Sequence, residues 1–386
     1  MRNFRFRNPV ELIFGKGKIA VLADKIKPGT RVMMTYGGGS IKRNGVYEQV
    51  MDALKECTVI EFGGIEANPD YATVMKAVEI CKSEKIDMLL AVGGGSIIDG
   101  TKFIAAASKY EGDPWEDILA KRLDVVRDAI PMAVVLTMSA TGSEMNCGAV
   151  ISRRETKEKF AFGSEFVFPQ FSILDPSVLF SLPKRQISNG LVDIYAHTLE
   201  QYLTFPVGSR VMDRWAESLL QTLIEVAPSL LSDGEKNYDD FADYMLTATM
   251  ALNGFISMGV VQDWATHKIG HELTALCGLD HGVTLAIVYP GVMDIMRREK
   301  EAKLLQYGER VFGITEGTVD ERIDKAIACT EDYFKSVGMK IRLSEHGIGE
   351  DVVQTIVTRF RERGWNVGEN GIVTPEKTEQ ILHRVM

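Results

Sequence analysis

The chain has 386 residues, 45% hydrophobic and 25% charged, with a formal net charge of −9. That length exceeds one typical core and implies two domains, and the acidic balance excludes a protein whose main partner is nucleic acid. No apolar run long enough to span a membrane occurs, the basic start Met1–Arg7 lacks the apolar stretch of a signal peptide, and five cysteines without a Cys-x-x-Cys pair read as reduced thiols of a cytoplasmic protein.

The first half alternates short apolar runs with helical patterns. Arg31–Tyr36 reads as a buried strand running into Gly37-Gly38-Gly39-Ser40, and a helix is expected over Val46–Leu54. Thr58–Phe62 is a second strand, and Pro69–Lys82 a helix with proline where a missing N–H does no harm. Asp87–Val92 is a third strand, ending in Gly93-Gly94-Gly95-Ser96 and a helix over Ile97–Ser108, and Met132–Thr137 is a fourth. This alternation predicts a parallel sheet covered by helices on both faces. From about Lys184 long helical patterns take over: Val211–Ala227, Tyr238–Phe255, Asp263–Ala275, Thr284–Met296, Glu299–Phe312 and Val319–Val337. The predicted division is an α/β domain over 1–183 and an all-helical domain over 184–386.

The glycine turns carry the first chemical signal. A strand, a glycine turn and a helix N-terminus present backbone N–H groups to a phosphate, and in a wound sheet such sites lie beyond the carboxyl ends of strands. The turn at 93–96 is the stronger pyrophosphate candidate because a helix follows directly. Neither turn is Gly-x-Gly-x-x-Gly or a Walker loop. At Gly37, Gly38, Gly39 and Ser40 no acid stands ready for a ribose hydroxyl, and Lys42 and Arg43 follow, so the turn favours a 2′-phosphate and hence NADP(H). The alternative is that Lys42 and Arg43 merely begin a solvated helix. Asp99 and Lys102, three apart on the helix after the second turn, are placed to pair or to reach the cofactor. As an exposed ion pair they would contribute only about 0.2–0.5 kcal/mol.

The second signal is histidine spacing. Four of six histidines lie between 197 and 281. Asp193 and His197 share one helix face, His267 and His271 another, and His281 follows a turn at Cys277–Asp280. Each histidine taken singly is more often a core or capping residue, but jointly three imidazoles and a carboxylate suit Fe(II) or Zn(II) rather than Ca or Mg. His-Glu-x-x-His is absent, which removes the zincin proteases. Trp264 and Phe255 are candidates to wall a substrate pocket, with helix packing as the plainer reading. Cys277 reads as a small buried residue.

These motifs together resemble the iron-containing (group III) alcohol dehydrogenases, specifically their NADPH-dependent butanol dehydrogenase or aldehyde reductase branch. The resemblance rests on Asn8-Pro9 through Gly17, Tyr36–Lys42, Ala91–Lys102, Ala140–Glu144, Asp193-x-x-x-His197, His267-x-x-x-His271 and Asp280-His281-Gly282, and spans essentially the whole chain. It implies a dehydroquinate synthase-like architecture: an α/β dinucleotide-binding domain followed by an all-α metal-binding domain. It implies Asp193, His197, His267 and His281 as metal ligands, with His271 beside nicotinamide and substrate without binding metal; there His271 is the candidate catalytic proton relay to solvent or to the ribose hydroxyl, with a contact behind the metal ligands as the alternative. Gly38, Ser40, Gly94, Gly95, Ser96, Thr137 and Thr141 would line the cofactor, with Asn68, Asp99, Asn146 and Lys159 on the same side. Gly39 stands where NAD-preferring members often carry Asp. The implied activity is hydride transfer between NADP(H) and short- to medium-chain aldehydes and primary alcohols, using Fe(II) or Zn(II), in a cytoplasmic homodimer joined around Phe4 and Phe6.

Overall fold

The computed structural model describes residues 1–386, which form two compact units, Arg7–Leu182 and Met1–Phe6 with Pro183–Met386. In the first unit eight strands occur: β1 Glu11–Phe14, β2 Arg31–Thr35, β3 Thr58–Phe62, β4 Met88–Gly93, β5 Met132–Leu136, β6 Gly148–Arg153, β7 Glu158–Gly163 and β8 Phe171–Leu174. Its helices are α1 Leu22–Lys25, α2 Val46–Ala53, α3 Tyr71–Glu84 and α4 Gly95–Ala107. Six strands make one parallel sheet in the order β1-β8-β5-β4-β2-β3. The four strands read from sequence occupy its middle and one side, while β1 and β8 complete the other edge. β6 and β7 form a separate antiparallel hairpin that the sequence pattern did not announce.

Strand alternation sorts the helices onto the two faces. Val32, Met34, Leu90, Val92, Ala133 and Val135 pack with Leu22, Val46 and Val50 of α1 and α2. The opposite parity of β2 meets the other helices: Met33 touches Cys81 of α3, and the Thr35 hydroxyl lies 2.6 Å from that of Thr101 on α4. β4 is buried at every position, as a central parallel strand should be. α4 is buried almost all round, which explains why its sequence shows no sharp polar face.

The second unit contains α5 Lys184–Tyr202, α6 Arg210–Leu230, α7 Tyr238–Leu252, α8 Ala265–Cys277, α9 His281–Ile295, α10 Glu301–Phe312, α11 Val319–Ser336, α12 Glu350–Glu362 and α13 Pro375–Arg384. One hydrophobic cluster joins α8, α9, α12 and α13 through Ile269, Leu273, Val288, Val292, Ile356, Phe360, Ile381 and Leu382. α12 and α13 had no counterpart in the sequence reading. α11 starts at a capping box in which Thr318 and Glu321 satisfy each other's backbone N–H groups.

The expected first domain began at residue 1. Met1–Phe6 instead pack within the helical unit: the Arg2 N–H donates to Gly259 O at 2.9 Å, and Phe6 meets Phe255 edge-on at 6.3 Å. Phe255 in turn stacks on Trp215 at 4.1 Å. Its ring therefore belongs to this N-terminal cluster.

Candidate functional site

In the α/β unit, β4 runs through Gly93 into an extended Gly94 before α4 begins at Gly95. A Cβ on Gly94 would lie 2.9 Å from Met138 Cβ, and one on Gly95 would lie 2.4 Å from Thr141 Oγ1. Both glycines are thus required by the close approach of the loop after β5. Thr137 joins the same corner by donating its N–H to Gly93 O at 3.0 Å. Gly37, Gly38, Gly39 and Ser40 follow β2, the strand beside β4, and Gly39 takes a φ of 84° that only glycine adopts cheaply. Asn68, in left-handed backbone, donates its N–H to Ser96 Oγ at 3.3 Å and accepts from Lys159 Nζ at 2.8 Å. Asn68, Ser96 and Lys159, far apart in sequence, therefore meet.

Asp99 and Asn146, expected on the cofactor side, also make hydrogen bonds within the protein. Asp99 accepts from Ser143 Oγ at 2.6 Å and from the Val150 N–H at 2.9 Å. Asn146 Oδ1 accepts from Lys102 Nζ at 3.0 Å and from the Gly148 N–H at 2.9 Å. Both side chains hold the 142–150 segment to α4. Nor do Asp99 and Lys102 form an exposed pair. Lys102 is fully buried, and its ammonium donates to Ser143 Oγ at 2.8 Å, Asn146 Oδ1 and Gly148 O at 2.8 Å. Burial lowers its pKa to about 8, against the opposing pull of Asp99.

An acid does stand near the first glycine turn. Lys42 Nζ lies 2.8 Å from Glu61 Oε2 and over the rings of Tyr36 and Tyr47, whose hydroxyls both donate to Glu61. Hydrogen bonds from Lys42 and then Tyr47 hold the Glu61 carboxyl down to about 2. Glu61 is the penultimate residue of β3, whose neighbour in the sheet is β2, so strand pairing supplied the carboxylate that reading along the chain overlooked.

In the helical unit, α5 presents Asp193 and His197 one turn apart, α8 presents His267 and the first residue of α9 is His281. One ligand atom from each of the four lies within 4.8 Å of all the others. Asp193 Oδ1 is 3.6 Å from a ring nitrogen of His197 and 3.6 Å from one of His281. Tetrahedral bonds of about 2.0–2.1 Å would set donors about 3.4 Å apart, so this donor set fits a divalent cation. Asp193, His197 and His267 are buried and His281 half-buried. A Cβ on Gly282 would lie 2.5 Å from Asn189 O, so glycine after His281 lets α9 press against α5. Asn189 also donates to Asp280 at 2.8 Å, fixing the residue before His281. His271 lies outside the set of four, its ring 5.3 Å from that of His281. Trp264 is no ordinary helix-packing residue. It precedes α8 with a φ of 66°, and its ring meets His267 at 5.0 Å and His197 at 6.0 Å. Such a conformation in a non-glycine residue costs about 1–3 kcal/mol and persists only where surroundings enforce it.

The enforcing groups went unread in the sequence. Glu200, on α5 three residues after His197, lies 2.9 Å from His267 Nδ1 and accepts the N–H groups of His267 at 3.1 Å and Trp264 at 3.0 Å. A carboxylate there takes the Nδ1–H and turns the Nε2 lone pair of His267 toward a cation. Burial first, then the Asp263 charge, pushes the Glu200 carboxyl well above its ordinary range. Behind it Lys300 donates to Asp263 Oδ2 at 2.7 Å, Glu369 Oε1 at 2.9 Å and Leu203 O at 2.7 Å. Burial pulls the Lys300 pKa down, but these two carboxylates outweigh it and hold it above its ordinary value. The spacing of Glu200 from Asp193 and His197 was a usable signal, whereas Lys300 and Glu369 had none.

A family model described as iron-containing alcohol dehydrogenase matches residues 9–176, and one described as Fe-containing alcohol dehydrogenase family, C-terminal, matches 187–386. The chain is 51% identical over 384 residues, 99% of each chain, to the NADPH-dependent aldehyde reductase YqhD of Escherichia coli (strain K12). The crystal structure of E. coli K-12 YqhD superposes with a TM-score of 0.97 at 50% identity, covering 100% of this chain and 99% of that one. The NADH-dependent butanol dehydrogenase A of Thermotoga maritima gives a TM-score of 0.94 at 37% identity, covering 100% and 99%.

Proposed function

The chain belongs to the iron-containing alcohol dehydrogenase family, and on that premise we propose that it is a metal-dependent, NADP(H)-linked alcohol dehydrogenase and aldehyde reductase acting on short- to medium-chain aldehydes and primary alcohols. The observation that carries this reading is the convergence of Asp193, His197, His267 and His281 within 4.8 Å, in a chain 51% identical along its length to an NADPH-dependent aldehyde reductase. Those four residues would hold the cation, Fe(II) or Zn(II), both of which accept three imidazoles and a carboxylate. When bound, the cation supplies Lewis-acid polarisation of the substrate oxygen and the nicotinamide supplies or accepts the hydride.

The remaining work falls to the chain's own groups. Asp193 offsets one cation charge, and Glu200 fixes the His267 ring. Trp264 covers the His197 and His267 rings and limits water around them. His271, one helical turn beyond His267, gives a proton to the product oxygen in reduction and takes it back in oxidation. Gly94, Gly95 and Ser96 at the start of α4 receive the pyrophosphate, with Asn68, Lys159, Thr137 and Thr141 as neighbours that orient the dinucleotide. Gly37, Gly38, Gly39 and Ser40 leave room for a ribose 2′-phosphate. Asp99 and Asn146 act by holding the 142–150 segment. Exposed Phe4, Phe6, Val211 and Trp215 in the helical unit support a homodimer, since exposed apolar patches mark association surfaces. No helix is long and apolar enough to cross a membrane.

A second reading, NADH preference, draws on Glu61 near the first glycine turn and on the NADH-dependent relative. Steady-state reduction of butanal with NADPH or NADH separates the two. A kcat/KM at least about tenfold higher with NADPH is expected. A preference for NADH would replace the cofactor assignment, and no turnover with either would end the dehydrogenase reading.

A further inference from the structure

We propose that Asp263, Lys300 and Glu369 are positioning residues for the metal site, acting through Glu200 on His267. This rests on the four-residue set binding a metal. All four charged side chains are at least nine-tenths buried and come from four separate places in the helical unit: α5, the residues before α8, the residue before α10 and the segment before α13. Burying three carboxyl groups and one ammonium is costly unless they are paired and hydrogen-bonded, and, apart from the contacts to Leu203 O and the Phe205 N–H, their contacts lead toward the backbone turn at 263–267.

The route is continuous. Glu369 receives the Phe205 N–H at 2.7 Å and Lys300 at 2.9 Å, and its own N–H donates to Asp263 Oδ2 at 3.2 Å. Asp263 Oδ1 accepts the N–H of Ala265, the first residue of α8, at 2.9 Å, while its backbone N–H donates to Glu200 O at 2.8 Å. The next residue is the strained Trp264, whose N–H goes to the Glu200 carboxylate at 3.0 Å. Three positions later is His267. Lys300 and Glu369 therefore clamp Asp263, Asp263 and Glu200 clamp Trp264, and Glu200 sets which ring nitrogen of His267 faces the cation. A segment a hundred residues beyond the ligand thereby decides how well the ligand is aimed.

A matched control exists in the same unit. Asp213 on α6 accepts from the buried Lys303 on α10 and from Gln306 at 3.0 Å, with no contact to Glu200 or Asp263. The test compares full-length Asp263→Asn and Asp213→Asn, stripped of metal and titrated with Zn(II) against a chromophoric chelator, with circular dichroism recording that each metal-free variant is folded. Partners of metal-bound imidazoles change affinity by roughly 10- to 100-fold. Asp263→Asn is expected to weaken Zn(II) binding at least about tenfold, and Asp213→Asn by less than about twofold. Should Asp263→Asn not fold, Glu369→Gln, which preserves volume and an oxygen acceptor, carries the same test with an expected weakening of about threefold or more. Glu200→Gln adds a signature that general loosening does not produce: nitrogen-15 spectra of the metal-free protein should show the His267 proton move from Nδ1 to Nε2. Unchanged Zn(II) affinity in Asp263→Asn or its substitute, or an equal loss in Asp213→Asn, overturns the proposal. Wild-type protein that binds no Zn(II) and no Fe(II) overturns the metal-site reading on which it rests.

Discussion

Lys102 and Lys300 are both buried lysines, one in each unit, and their surroundings differ in kind. Lys300 sits between two carboxylates and a carbonyl, while Lys102 has a hydroxyl, an amide oxygen and a carbonyl, with Asp99 reached only through Ser143. The same group at similar burial is held above its ordinary pKa in one place and lowered to about 8 in the other. Fixed charge beside a cation site demands fixed countercharge, because unpaired buried charges are expensive. A turn that receives a pyrophosphate needs backbone N–H groups and close packing, and neutral oxygens suffice to hold its supporting helix. The helical unit is built around charge, and the α/β unit around dipoles and glycine.

The largest effect that sharpens this contrast is loss of a ligand. His267→Ala removes cation binding and with it several kcal/mol of substrate polarisation, so aldehyde reduction should fall by at least about 1000-fold while NADPH binding, followed by fluorescence, stays within about threefold. A parallel loss of NADPH affinity would mean that the two sites are not separately built. Next comes stability. Lys300→Met strands two buried carboxylates and should cost about 3–5 kcal/mol in urea unfolding, whereas Lys102→Met should cost about 1–3 kcal/mol, the loss of hydrogen bonds to neutral oxygens. Equal costs would break the comparison.

The pH dependence gives a third handle. A lysine with a folded pKa near 8 and an unfolded value of 10.5 binds fewer protons folded than unfolded between those limits. Its contribution to stability therefore rises from pH 8 to 10.5, by about 3 kcal/mol at about 1.36 kcal/mol for each pH unit. Wild type should gain stability relative to Lys102→Met across that window, and a flat difference would show that the Lys102 ammonium is as well solvated as an exposed one. The smallest effect is Gly95→Ala. The added Cβ meets Thr141 at 2.4 Å, and displacing that loop should weaken NADPH binding about tenfold, or about 1.4 kcal/mol, with Zn(II) affinity unaltered.

The same contrast governs what could be read from the chain. Asp193 with His197 and His267 with His271 were visible because helix spacing is a local signal, and the β2 and β4 turns because glycine runs punctuate strands. β8 was hidden in a run of only four strand residues, Phe171–Leu174, and the β6–β7 hairpin turns at a lysine in left-handed backbone, Lys157, rather than at glycine. α12 and α13 went unread although Phe360 and Ile381 sit in the core. Glu61 and Lys42 meet through strand pairing, and Glu369 and Lys300 through tertiary packing, neither of which leaves a periodic mark. The sequence left Asp99 and Lys102 open between pairing with each other and reaching the cofactor, because a three-residue spacing says nothing about exposure: on a helix buried almost all round they brace the 142–150 segment.

The most direct measurement of the central claim is NADPH consumption with butanal by protein purified without oxygen, before chelation, after chelation, and after Fe(II) or Zn(II) is returned. Turnover that disappears on chelation and returns with the metal is the predicted result. Turnover that survives complete metal removal, confirmed by elemental analysis, would contradict it and leave Asp193, His197, His267 and His281 without the role assigned to them.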